Sequence, residues 1–263
     1  MCEDANLAHI KRTQLNADKP TMDLLPFAFV DSFVHHFSER TIECVIPELS
    51  SGLWEEVALN HKEKRVYYSV DVTIHGDQRV RINVEIANFS TKEQISCEDA
   101  LKRIDRYSRI MWYVIVNYSK HEPEISPEQT HFLRTFMHRV PCEHFNSLSY
   151  GATTLPDIFW KFPVSTVSID ESFTRDVFQY HLLENERLES LKVLNWSNKL
   201  IRTLLESWQE NKWIDYEEEN EEDKSLAELG FILKSGGYWE TAKRNLKKMK
   251  DGVERSLSLT VKW

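Results

Sequence analysis

Two acids stand where metal-dependent chemistry would put them. Asp71 and Glu85 lie on the polar faces of two neighbouring segments of alternating pattern, "RVYYSVDVTI" and "RVRINVEIA". Carboxylates on adjacent strands can hold Mg²⁺, as in some nucleases. Nuclease sites of that kind usually add a lysine two residues after the acid, and Ala87 stands there. The alternative is structural: Arg79 and Arg81 pair with the acids across the strands, worth a fraction of a kcal/mol each. Cys142 and His144, in "PCEHF", could supply two zinc ligands, but a zinc site takes four and no further pair at matched spacing stands nearby. His35 and His36 are adjacent, so on a helix they point about 100° apart and are poorly placed to share a metal. The chain has no glycine-rich phosphate loop, nucleophile elbow, HExxH pair or EF-hand loop. The expectation is a non-catalytic protein with no catalytic, metal or cofactor residues.

The elements that would position these residues follow from periodicity. From Val66 to Ile86 the chain alternates with period two, Val66, Tyr68, Val70, Val72 and Ile74 and then Val80, Ile82, Val84 and Ile86, around a turn at "HGDQ". That is a hairpin with one buried face. Before residue 61 the period is helical, so a domain boundary is expected between residues 61 and 65. Beyond the hairpin, helices and strands alternate. A helix runs over 97–107 with Ser96 as N-cap and Asp99 three residues on. The apolar run "IMWYVIV" (110–116) reads as a buried strand, and Ser126-Pro127 opens a helix. Strands follow at 166–169, 188–196 and 256–263, with helices at 171–183 and 198–211. The expected class is α/β or α+β. Leu188, Leu191 and Val193 have the spacing of a leucine-rich-repeat strand, but no clean second copy recurs at a fixed period.

Composition narrows the function classes. The 263 residues carry a net charge of -9, against the basic face expected of a nucleic-acid binder, so no nucleic-acid partner is expected. Six acids fall within "YEEENEED" (216–223), which reads as a solvated acidic loop that the nearby "KRNLKK" (243–248) could face. Four cysteines form no CxxC pair, no secretory apolar region leads the chain, and no apolar run approaches the ~18 residues of a membrane span. The expected home is the cytosol or nucleus, not the secretory path or the membrane.

The segment 25–58, "LPFAFVDSFVHHFSERTIECVIPELSSGLWEEVA", concentrates apolar residues at helical spacing. Pro26 suits a helix start, and Phe29, Val30, Phe33, Val34 and Phe37 follow an i, i+1, i+4, i+5, i+8 pattern. Ser38 caps a second helix with Thr41, Ile42 and Val45 inward, and Pro47 breaks or kinks it. "SSG" turns the chain into a third helix carrying Leu53, Trp54, Val57 and Ala58. Residues 1–21 read as a mobile arm, 22–62 as the helical module and 63–263 as the larger domain.

Three short helices opening at Leu25-Pro26 and ending near Trp54 resemble an F-box. The spacing of Phe29 and Val30, then Phe33 and Val34, the "SERT" turn followed by Ile42, and Trp54 with Val57 and Ala58 all carry the resemblance. The segment is most similar to the divergent F-box of lineage-expanded nematode F-box proteins, whose boxes often begin with a "PFAF"-like run. Ala28 stands where the family usually has an acid, and Pro47 with "IPELSSG" departs from the second half of the pattern. The resemblance implies a substrate receptor of a cullin-based ubiquitin ligase. Leu25, Pro26, Phe27, Phe29, Val30, Phe33, Val34, Ile42 and Trp54 would bind the Skp-family adaptor, which joins the cullin scaffold, and residues 63–263 would hold a protein substrate. The alternative is a non-catalytic α/β protein-binding domain whose N-terminal helices bind no adaptor.

Overall fold

The computed structural model describes residues 26–35, 37, 42, 52–88, 91–149, 155–170, 175–194, 197–212, 230–234, 241–250 and 253–262. The chain divides into two compact units, residues 1–63 and 64–263. Leu25, the expected second helix from Ser38 to Pro47 apart from the helical Ile42, the arm 1–21 and the acidic run 216–223 all lie outside the described residues.

The first unit holds α1 (Phe27–His35) and most of α2 (Gly52–Lys64). The Pro26 carbonyl accepts from the amides of Phe29 and Val30 and so closes the first turn. Val30, Val34, Ile42, Trp54, Val57 and Ala58 pack into one small core. A buried pair ties the two helices, with Asp31 Oδ1 3.0 Å from His61 Nε2.

The second unit is mixed α/β, built on one sheet of ten strands among the described residues, in the order β3-β2-β1-β4-β5-β6-β7-β10-β9-β8. The hairpin expected from the alternating pattern is β1 (Val66–Ile74) and β2 (Val80–Asn88), paired antiparallel with Val70 opposite Val84. β3 (Thr91–Ile95) continues it antiparallel. On its other side β1 runs parallel to β4 (Ser108–Asn117), and parallel pairing then continues through β5 (Cys142–Ser149), β6 (Val164–Asp170), β7 (Ser190–Leu194) and β10 (Val253–Lys262). β9 (Thr241–Lys250) and β8 (Ile232–Lys234) close the far edge antiparallel. Sequence patterning missed β3, β5 and β9, whose polar and charged residues disguise the alternation, and β8, whose three residues are too few to show one.

The six central strands progress in one direction along the sheet. Parallel connections are almost always right-handed, so a sheet that never reverses keeps every crossover on the same face. The packing agrees. Phe136 of α4 (Pro127–Arg139) meets Tyr68 of β1 edge-on at 5.3 Å and stacks on Phe132 at 5.0 Å. Phe162 lies against Tyr113 of β4 and Phe145 of β5. α3 (Cys97–Lys102) adds buried Ala100 to this layer. α5 (Arg175–Gln179) runs on into one π-helical turn, Tyr180–Glu184, and α6 (Asn198–Glu210) adds Ile201, Leu204 and Trp208.

Local signals set the helix ends. Ser96 Oγ accepts from the Asp99 amide at 3.0 Å and donates to the Asp99 carboxylate at 2.7 Å. This cap starts α3 as expected, but the helix stops at Lys102, not at 107, because the chain must turn into β4 at Ser108. Ser126 and Gln129 form a reciprocal capping box, and Gln129 Nε2 also donates to the Val80 carbonyl at 2.8 Å, which fixes α4 against β2. None of the described helices is long and apolar enough to cross a membrane.

The strand pattern repeats where no fixed period could reveal it. Leu188, Leu191 and Val193 are buried, as the repeat-like spacing implied, and the same x-x and x spacing recurs in Ile110/Tyr113/Ile115, Cys142/Phe145/Ser147 and Val164/Val167/Ile169. All face the helical layer. The first positions are 110, 142, 164 and 188, so the steps are 32, 22 and 24 residues. The extra residue before the second position is a bulge: Tyr68 and Ser69 of β1 sit opposite Ile110 and Trp112 of β4, skipping Met111. β5 and β6 skip Glu143 and Ser165 in step with it.

Two predictions follow from this core. Phe136→Ala removes a fully buried ring between Tyr68 and Phe132, and should cost about 3–5 kcal/mol in chemical denaturation. His181 is fully buried, and burial pulls its pKa from 6.5 down to about 3. Its folded-state value lies below the unfolded one, so the unfolded chain binds the proton first. Stability is therefore lost as the pH falls from about 6.5 toward 3. His181→Gln should flatten the stability-against-pH curve in that window, measured by thermal unfolding at a series of pH values.

Candidate docking surfaces

The face of the sheet away from the helices is the larger candidate. Because strands alternate, the residues between the buried positions all point to it. Ser69, Asp71 and Thr73 of β1 are half-buried there, while Tyr68, Val70, Val72 and Ile74 are sealed on the other side. The registers align these residues into ranks that cross the strands. One rank runs Glu85, Ser69, Trp112, His144, Thr166 and Ser190. The next runs Asp71, Val114, Asn146, Ser168 and Lys192, and continues through Thr260 to Lys243.

The bulge decides what this face presents. In a regular strand Ile110 and Trp112 would share a face, as would Cys142 and His144. The extra residue turns each pair apart. Ile110 and Cys142 are buried among the helices, whereas Trp112 is 45 % exposed on the open face. Its indole stacks on the His144 imidazole at 4.4 Å with 22° between the planes. The run "IMWYVIV" is thus a strand, but not a wholly buried one. The same turn separates Cys142 from His144, so the two do not meet as ligands of one ion. Burial pushes the Cys142 thiol far up. The His144 pKa is lowered, first by burial and then by the charge of Lys192.

Asp71 and Glu85 do come together. Glu85 sits opposite Ser69, one diagonal step from Asp71. Burial raises the Asp71 pKa, the Glu85 charge raises it further, and Lys92 of β3 opposes both. The expected arginine partners are elsewhere: Arg79 binds the Asp77 carboxylate at 2.6 Å, and Arg81 Nε donates to Asn83 Oδ1 at 3.1 Å. Lys92, which lies 3.5 Å from Glu85, is the cation that the sequence reading missed, because the strand carrying it was not foreseen. Among the described residues no group of three or more His, Cys, Asp and Glu side chains could hold a metal. His35 of the helical module lies against His61, ring centres 6.1 Å apart.

The second candidate is α1. Of the residues expected to meet an adaptor, Pro26, Phe27, Phe29 and Phe33 are exposed, the three phenylalanines at 48, 51 and 49 %. Phe29 stacks on Phe33, and Phe33 meets Phe37 and Trp54 edge-on. Val30, Val34, Ile42 and Trp54 instead form the module's own core, so they shape its surface and do not present it. The helical period placed all of these residues on one element, but only the packing sorted them into inner and outer sets.

Compared with family models, with curated proteins and with solved structures, the sequence matches none.

The acid pair yields a prediction with a definite sign. The folded-state pKa of Asp71 lies above its unfolded value near 3.8, so ionising it costs the folded state, and stability is lost as the pH rises through that window. Asp71→Asn should raise the melting temperature at pH 7 and leave it unchanged at pH 3. Thermal unfolding of both forms at the two pH values checks this.

Proposed function

We propose that this chain is a substrate receptor of a cullin-based ubiquitin ligase, docking to the Skp-family adaptor through its N-terminal helices and holding a protein substrate on the larger domain. The reading rests on the resemblance of residues 23–61 to a divergent F-box. The observation that carries it is the exposure of three phenylalanines on a nine-residue helix whose valines are fully buried. Folding has already used Val30 and Val34, and it leaves Phe27, Phe29 and Phe33 in water, where a partner would cover them. Interface energy concentrates in a few such aromatic residues. A receptor of this kind breaks no bond; it raises the effective concentration of the substrate beside the ubiquitin-loaded enzyme. It would work in the cytosol or nucleus, where the ligase is.

The alternative of a protein-binding domain without an adaptor is separated from this by experiment. The double substitution Phe27→Ala, Phe29→Asp should weaken capture of purified adaptor at least ~10-fold, or about 1.4 kcal/mol, while the melting temperature changes little because both rings are exposed. Val30→Ala should do the reverse, lowering stability with a smaller effect on capture by the folded fraction. If wild-type protein captures no adaptor, or the double variant captures as much, the receptor reading fails and the plain binding domain takes its place.

A further inference from the structure

We draw no further inference here: the strongest candidate, the surface patch around the Trp112–His144 stack on the sheet face away from the helices, carries nothing, because Glu85 in the same rank is already paired with Lys92 and nothing in the structure shows what covers the exposed indole.

Discussion

One constraint organises the larger unit: its central strands add in a single direction. A parallel sheet that reverses its order puts helices on both faces and buries its strands twice. Here the order β1-β4-β5-β6-β7-β10 never reverses, so the described helices gather on one face, and among the described residues no helix lies on the other. The burial record follows from that alone. Each central strand pairs a sealed apolar row with a row of mixed polar, aromatic and aliphatic residues. The core is dense in rings because one layer of helices must cover the whole sheet from one side. Phe132, Phe136, Phe145, Phe159, Phe162 and Phe178 are all sealed within it.

The shared bulge is the second organising feature. Inserting Met111, Glu143 and Ser165 in step keeps neighbouring strands in register while turning the start of each strand against its end. It moves Trp112 and His144 outward together, which is why they can stack, and it sends Cys142 inward. A single unshared bulge would break the ranks. Three aligned bulges create a row that runs from Glu85 through the Trp112–His144 platform to Thr166 and Ser190.

The helical unit shows the energetics of a small module. Among the described residues its core holds six buried apolar residues and one buried Asp31–His61 pair, while Phe27, Phe29 and Phe33 on α1 stay exposed. In the proposed receptor, the surface that the module fails to bury is the surface that docks.

The sequence by itself determined what depends on near neighbours. The alternation of 66–86 specified the hairpin, Ser96 and Ser126 specified helix starts, and the change of period marked where the helical segment gives way to the sheet. These features are set within a few residues of each other, by side-chain period and by capping bonds. Tertiary structure alone decided the rest. The partner of β1 on its parallel side is some forty residues away, and no local pattern names it. "KRNLKKMK" reads as a charged surface run until Arg244 and Leu246 are paired with Leu259 and Leu257, when it becomes the strand between β10 and β8, with Lys243 and Lys247 exposed. The candidate site was legible only in parts: Asp71 and Glu85 were visible as a pair, but Trp112 was read as buried, and Cys142 and His144 were read only as two residues short of a zinc site. A bulge changes the face of a side chain without changing its residue type, so only the register between strands far apart in sequence could place Trp112 in the open and Cys142 in the core.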